Sequence, residues 1–184
     1  TDGTAELVES WGEARLVRVS GGRGRQQNVA AARSSGEILL FLHADCQVDA
    51  DAVAEIRRFV ARHPRCPGGC LRMRVDGDHW AFRLIEMGGH LRAGVVGIPY
   101  GDQGMFMPRW SFEAVGGFPE LRLMDDLFLA LRIRRLGRWG LARSGILTSA
   151  RRWRRNGIVR QTFRNWWLTA LAATGISPDR LVAW

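Results

Sequence analysis

An uninterrupted apolar run at residues 38–42 ends abruptly in a polar tip that contains His43 and Asp45. Apolar runs of this length, with no polar alternation, are typical of strands buried on both faces in a parallel sheet. In open α/β sheets, ligands bind beyond the carboxyl ends of the strands. The pattern therefore predicts that Asp45 lies at a ligand-binding edge.

The remaining chain alternates between strand-like and helix-like patterns, and this β-α-β rhythm predicts an α/β fold. Predicted strands cover residues 15–19, 37–42, 71–75, 105–107, 138–142 and 146–149. Predicted helices cover residues 5–11, 26–34, 49–64 with Asp49 as the cap, 80–92, 111–115, 125–136 and 157–174. No repeat or linker divides the sequence, so we expect one domain over residues 1–184, in which residues 157–184 form an amphipathic helix and tail.

The composition is that of a globular protein with an anionic partner. The 184 residues are 46% apolar, and the 27 basic residues, all arginine, outnumber 18 acids to give a net charge of +9. Arginine presents a fork of donors that suits phosphate, although a coding bias of the genome is an alternative reason for the absence of lysine. No zinc-finger spacing, RNP-like motif or helix-turn-helix is present, so a nucleotide or a membrane surface is favoured over nucleic acid.

Asp45 and His43 are the candidate metal ligands. Proteins typically bind Mg²⁺ or a similar hard cation through one or two carboxylates together with substrate phosphates. Asp45 stands where such a carboxylate is expected. The alternative is that Asp45 only caps the turn before the next helix.

Asp125 and Asp126 open the predicted helix at residues 125–136 and are the candidate catalytic acids. A carboxylate in this position can act as a general base toward a sugar hydroxyl. The alternative is that the two acids only compensate the positive end of the helix dipole.

Two further segments carry candidate substrate-binding residues. In the loop at residues 101–104, glycines permit close approach of the backbone to a ligand, and Asp102 and Gln103 offer hydrogen bonds to sugar hydroxyls. In the second segment, Arg151 and Arg152 are candidates to bind a diphosphate, while Trp153 is a candidate to stack on a base or sugar ring. The alternatives are a tight turn and a solvated run of charge.

The last predicted helix combines aromatic and aliphatic residues with Arg160 and Arg164. This basic amphipathic pattern is typical of a helix that lies on a membrane, and also of one that packs on its own domain. No secretory signal or membrane-spanning run is recognisable, so we expect a cytoplasmic protein, with peripheral contact at the inner membrane face as an option. The three cysteines do not have zinc-site spacing.

The order and spacing of these features resemble glycosyltransferase family 2, of the inverting GT-A type. Within that family the chain is most similar to the bacterial subgroup associated with radical-SAM or selenium-related domains. The matching segments are, in order, Gly22 and Arg23 with Asn28, residues 30–45, 101–104, 116–120, 124–126 and 149–153.

The resemblance implies a GT-A, Rossmann-like fold with a mixed, mostly parallel sheet flanked by helices. It also implies transfer of a sugar from a nucleotide-diphospho-sugar donor to the hydroxyl group of an acceptor, which can be a lipid, a glycan or a small molecule. In such enzymes the aspartate at the position of Asp45 holds Mg²⁺ or Mn²⁺ on the diphosphate. Asp126 matches the catalytic base, with Asp125 beside it, and Asp2, Arg23 and Asn28 are expected to border the nucleotide.

Three departures from the family pattern bear on this expectation. His43 replaces the first aspartate of the usual D-x-D motif, and Asp125 stands where the family more often has glutamate. The usual first strand and its Pro-x-x-Asn-Glu signature are absent, so the sequence resembles a family member without its first one and a half β-α units. The alternative function is therefore a non-catalytic or truncated module that docks on a membrane or a partner through its C-terminal helix.

Overall fold

A computed structural model describes residues 2–173, so part of the predicted C-terminal tail lies outside the described residues. The described chain combines strands and helices, as the sequence predicts. The strands are β1 (Ile38–Phe41), β2 (Cys46–Val48), β3 (Gly69–Val75), β4 (Met105–Pro108) and β5 (Gly140–Thr148). The helices are α1 (Thr4–Trp11), α2 (Arg23–Ala32), α3 (Ala52–Arg62), α4 (Trp80–Leu91), α5 (Arg109–Ala114), α6 (Asp125–Arg134), α7 (Arg151–Asn156) and α8 (Ile158–Ala173).

The described strands form one mixed sheet in the order β1-β4-β3-β5-β2, flanked by helices. This confirms the predicted mixed α/β architecture. The balance of directions differs from the prediction, because only β3 and β5 pair in parallel and the other described pairings are antiparallel. β1, predicted as a parallel strand, pairs antiparallel with β4. An apolar run indicates burial, and burial alone does not fix the direction of the neighbouring strand.

Two strand predictions were wrong. The segment at residues 15–19 forms no strand, because within the described chain no neighbouring segment pairs with it in a hydrogen-bonded ladder. The two strands predicted at residues 138–142 and 146–149 are a single strand, β5. The intervening Ser144 and Gly145 do not interrupt β5, since Ser144 donates to Asp51 at 2.7 Å and the Gly145 amide donates to Asp49 at 2.8 Å.

The same contacts correct the prediction for the start of α3. Asp51, not Asp49, directly precedes this helix, and its side chain makes no capping hydrogen bond. The Asp49 carboxylate instead accepts the Gly145 amide and forms an ion pair with Arg74. Asp49 therefore connects β5 and β3 to the loop before α3.

Apolar residues pack on both faces of the sheet. One cluster lies between β3, β5 and helices α3, α4 and α7, and a second lies between β1, β4 and helices α5 and α6. On β3, Leu71, Met73 and Val75 are buried while Arg72 and Arg74 face solvent, as the alternation predicts. A smaller cluster, built around Leu127 and Leu168, attaches α8 to α6. Among the described residues, no helix combines the length and the apolar character needed to cross a membrane.

Close packing between α3 and β5 leads to a stability prediction. A Cβ added at Gly140 would overlap the ring of Phe59, whereas one added at Gly88 in α4 meets nothing within 4 Å. Gly140→Ala should therefore lower the free energy of unfolding by about 1–3 kcal/mol through overpacking. Gly88→Ala is the matched control, and should leave stability unchanged or raise it by up to about 1 kcal/mol through helix propensity. Urea denaturation of both variants measures the difference, and equal midpoints would contradict the packing described.

Candidate active site

A cavity of about 190 Å³ opens where several chain segments end against the inner side of α8. The turn after β1, the loop before β4, the end of β5 and the starts of α6 and α7 all contribute to its wall. Seven predicted site residues line it: Arg23, His43, Asp45, Asp102, Asp126, Arg152 and Trp153. Residues separated widely in sequence therefore meet around one space.

Asp126 presents its carboxylate to this cavity in a fixed orientation. Its Oδ2 accepts the Gly101 amide at 2.7 Å, and its Oδ1 accepts the Leu127 amide at 2.9 Å. A guanidinium nitrogen of Arg23 lies 3.4 Å from Oδ1. The carboxylate is thus held by two backbone donors and one positive charge while it remains accessible from the cavity.

Asp125 is buried behind Asp126 and does not line the cavity. Only 2% of its side chain is exposed, and Arg23 binds it through Nε at 3.0 and 3.1 Å and also through a second guanidinium nitrogen. Burial alone would lower the pKa of Arg23. The hydrogen bonds with Asp125 and the negative charge of Asp126 outweigh burial, so the pKa of Arg23 is raised above its usual value. The two adjacent acids therefore have different surroundings: Asp125 pairs with Arg23, and Asp126 faces the cavity.

The backbone before these acids is strained. Met124 has φ 62°, in the left-handed region that non-glycine residues rarely adopt. Such conformations persist where surrounding contacts fix them, and they cluster at functional sites. Met124 itself lines the cavity, so the strain lies at the point where the chain enters α6 and turns Asp126 inward.

Glycine is required at position 101, because the side chains of His43 and Asp126 both approach its Cα closely. A Cβ at this position would lie 2.6 Å from His43 Nε2 and 3.0 Å from Asp126 Oδ2. The sequence predicts that glycines in this loop permit approach to a ligand. In the structure, Gly101 instead makes room for two side chains of its own chain.

His43 and Asp45 both line the cavity, as predicted for metal ligands, but their surroundings differ. His43 Nε2 lies 3.3 Å from an Arg23 guanidinium nitrogen, and because guanidinium can only donate, Nε2 is the acceptor. Asp45 has a weak contact from the Cys46 thiol, 4.0 Å from its Oδ1. Within residues 2–173, no group of three or more His, Cys, Asp or Glu side chains is arranged to hold a metal ion. Any cation here would need further ligands from a substrate.

Asp102 and Gln103 have opposite environments. Gln103 is fully buried, where its carbonyl accepts from Arg92 at 2.9 Å and from the Tyr100 amide at 3.1 Å, so it supports the loop and does not line the cavity. Asp102 lines the cavity, and its buried Oδ1 has no hydrogen-bond partner among the described residues. Burial raises the pKa of Asp102, and the charge of Asp126 adds to this effect.

The arginine and tryptophan segment forms α7, and its members point in different directions. Arg152 lines the cavity, whereas Arg151 is exposed and is not part of the wall. Trp153 is buried, donates to Thr162 at 3.3 Å and packs edge-to-face on Phe82, with 6.1 Å between ring centroids. Trp153 is thus packed into the apolar core.

Two residues expected at the nucleotide lie away from the cavity. The Asn28 amide donates to the Phe118 carbonyl and accepts the Phe118 amide, both at 2.9 Å, so its side chain fixes the loop before α6. Asp2 is exposed and accepts the Thr4 amide at 3.1 Å at the start of α1. Neither side chain is among those that line the cavity.

Comparison with known families connects this arrangement to a class of proteins. The family profile described as Glycosyl transferase family 2 matches residues 1–118, more than half of the chain. The chain belongs to glycosyltransferase family 2. No curated protein matches the sequence.

Solved structures share the fold of this family 2 domain. The mannosyltransferase PcManGT from Pyrobaculum calidifontis, in complex with GDP-Man and Mn²⁺, aligns with a TM-score of 0.60 and 23% identity over 80% of this chain and 44% of that chain. S. aureus TarS 1-349, in complex with UDP-GlcNAc, aligns with a TM-score of 0.56 and 16% identity over 81% and 46% of the respective chains. At these identities the likeness shows the GT-A fold, and the chain spans less than half of either solved chain.

One wall of the cavity in this family 2 domain is not among the sequence predictions. Gln161, Asn165 and Thr169 of α8 line it, and the Thr169 hydroxyl lies 2.6 Å from that of Tyr100. These polar residues are spaced by four, so they share one side of a helix whose other side carries aromatic residues. That spacing is the signal by which the wall was predictable.

The unsatisfied oxygen of Asp102 leads to a stability prediction. A buried polar atom without a partner costs about 1–3 kcal/mol, so Asp102→Asn, which removes the charge at nearly constant shape, should stabilise the fold by roughly 1 kcal/mol at pH 7. The pKa of Asp102 is raised from 3.8 in the folded state. The charged form of Asp102 therefore destabilises the fold at pH 7. The stability gained on Asp102→Asn should shrink as the pH falls toward 3.8, because the carboxyl group of the unmodified protein is then protonated.

Urea denaturation at pH 7 and at pH 4–5 measures the stability gained on Asp102→Asn. Asp78→Asn, at an exposed position, is the control. A loss of stability on Asp102→Asn at pH 7 would show that the carboxylate is satisfied in the protein.

Proposed function

We propose that this domain is an inverting glycosyltransferase, which moves a sugar from a nucleotide-diphospho-sugar donor to an acceptor hydroxyl with Asp126 as the general base. The observation that carries the proposal is the Asp126 carboxylate, which two backbone amides orient toward a cavity shared with Asp45 and Arg152. Family membership supports the reaction class. The ordered motifs support assignment to the bacterial subgroup named above.

In the proposed reaction, Asp126 accepts the proton of the acceptor hydroxyl as its oxygen attacks the anomeric carbon of the donor sugar. The new carbon–oxygen bond forms on the face opposite the leaving group, the bond to the phosphate oxygen breaks, and the anomeric configuration inverts. Arg152 stabilises the negative charge that develops on the departing nucleoside diphosphate. The Arg23–Asp125 pair acts on the reaction indirectly, because it positions Asp126.

We further propose that Asp45, with His43 beside it, holds Mg²⁺ or Mn²⁺. The donor set suits a hard cation, since Asp45 and Asp102 both line this cavity and the Oδ1 of Asp102 has no partner among the described residues. When bound, the cation would neutralise charge on the donor diphosphate. PcManGT, which was solved with GDP-Man and Mn²⁺, supports this proposal by its similar fold.

Two finer points belong to the same proposal. We place the protein in the cytoplasm, because Cys46, Cys66 and Cys70 are all free thiols, as expected in a reducing compartment. We place it at the inner membrane face, because the outer side of α8 carries exposed aromatic and basic residues.

The assignment of the base predicts the effect of Asp126→Asn in the full-length protein. This variant should lower the transfer rate by about 100- to 10,000-fold, because the amide cannot accept the proton, while donor binding stays nearly unchanged. Asp125→Asn is the informative comparison, since it removes the buried partner of Arg23. Because Arg23 is itself 42% exposed, the loss should cost only about 1–3 kcal/mol of stability. Transfer at the normal rate by Asp126→Asn would exclude this residue as the base.

The assignment of the metal ligand predicts the effect of Asp45→Ala. In isothermal titration of the full-length protein with UDP or GDP, Mn²⁺ should increase the affinity of the unmodified protein. Asp45→Ala should remove about tenfold or more of that increase, because the cation loses its carboxylate ligand. Asp78→Ala, which removes an exposed acid outside the cavity, should retain the whole increase. An identical Mn²⁺ dependence in the Asp45 variant would contradict the assignment.

A further inference from the structure

The outer side of α4 carries a stripe of large apolar residues exposed to solvent. Trp80, Leu84, Met87 and Leu91 recur at intervals of four, three and four, which places them on one side of the helix. Between 53% and 69% of each is exposed. Val95, in the π-helical turn after α4, is 66% exposed and extends the stripe. Single exposed apolar residues are ordinary, but a continuous stripe of this length on one helix indicates a binding surface.

A second stripe lies on α8. Val159, Phe163, Trp166 and Trp167 are 48–83% exposed, whereas Leu168 on the opposite side packs against α6. The rings of Phe163 and Trp167 stack with 6.3 Å between centroids. The polar side of α8 faces the cavity of the active site, so the aromatic side is directed away from it.

The two stripes belong to neighbouring helices. A second cavity, of about 260 Å³, is lined by Ile85 and Gly88 of α4 and by Thr162 and Trp166 of α8. Both helices therefore border the same space, and Trp166 of the α8 stripe lies on its wall. We call the combined surface, formed by the α4 and α8 stripes, the α4–α8 surface.

The charge around this surface is positive. Residues 151–173, which include α7 and α8, contain six arginines and no acidic residue. In α4 the one acid, Glu86, is buried, where it accepts the Val75 amide at 2.7 Å and pairs with Arg83. The exposed acids nearest in sequence are Asp76 and Asp78, in the loop before α4, and Asp76 lies 3.9 Å from Arg154. An apolar surface with tryptophans and a border of arginines matches the chemistry of an anionic phospholipid membrane.

We propose that α4 and α8 together form a docking surface for anionic membranes, with tryptophans at the level of the lipid headgroups. This goes beyond a contact through α8 alone, because α4 contributes at least as many exposed apolar residues. The predicted occupant is a phospholipid bilayer, and the distinguishing feature is that both helices are needed.

Vesicle co-sedimentation of the full-length protein tests this proposal. The protein should pellet with vesicles of phosphatidylcholine and phosphatidylglycerol, and much less with phosphatidylcholine alone or at high salt. Trp80→Ala with Met87→Ala on α4, and Trp166→Ala with Trp167→Ala on α8, should each lower binding about tenfold, because less apolar area is buried in the bilayer. Trp110→Ala, which removes an exposed tryptophan of α5, is the matched control and should bind like the unmodified protein.

Hydrogen–deuterium exchange of the unmodified protein provides a test without substitutions. Anionic vesicles should slow exchange at residues 80–96 and 158–171 together. Unchanged exchange at either segment after anionic vesicles are added would overturn the proposal. Absence of vesicle binding, or unchanged binding of the α4 variant, would also overturn it.

Discussion

The ion pair between Arg23 and the buried Asp125 joins two parts of the chain that are 102 residues apart. A carboxylate that is 2% exposed requires a partner, because an unpaired charge in this environment is strongly destabilising. Arg23 is the first residue of α2 and Asp125 the first of α6, so the pair fixes the start of one helix against the start of the other. Asp126, the next residue, is thereby directed into the cavity, where the amides of Gly101 and Leu127 hold its carboxylate.

The charges that surround the cavity follow from this arrangement. Asp45, Asp102 and Asp126 contribute three carboxylates to the wall, and Arg23 and Arg152 contribute two guanidinium groups. Arg23 is already committed to Asp125, which leaves Asp45 and Asp102 with few protein partners. A cavity with such an excess of carboxylate favours a cation, and a cation in turn favours a diphosphate. The charges of the cavity wall are therefore consistent with the proposed binding of a cation and a nucleotide diphosphate.

The sequence predicted the elements and the location of the site better than it predicted contacts. The apolar run at residues 38–42 correctly indicated β1 and placed Asp45 at its polar end, but burial did not reveal that β1 runs antiparallel to β4. Asn28 is expected to border the nucleotide, and Gln103 to bind sugar hydroxyls. Their partners are Phe118 and Arg92 within the chain, and residue type alone does not tell a ligand from an internal partner. The wall formed by α8 is absent from the sequence predictions, because the aromatic and basic residues of this helix predict only a membrane or packing surface.

The central claim is that the cavity around Asp126 binds a nucleotide-diphospho-sugar, and a thermal-shift screen of the full-length protein tests it most directly. The ligands are UDP-, GDP- and dTDP-sugars, each with and without Mn²⁺. At 100 times its dissociation constant, a ligand of the folded state stabilises it by about 2.7 kcal/mol, which corresponds to a rise in Tm of roughly 5–10 °C for a domain of this size. The account predicts such a rise for one nucleotide class, larger with Mn²⁺. An unchanged Tm with every donor, in the presence and absence of Mn²⁺, would contradict it.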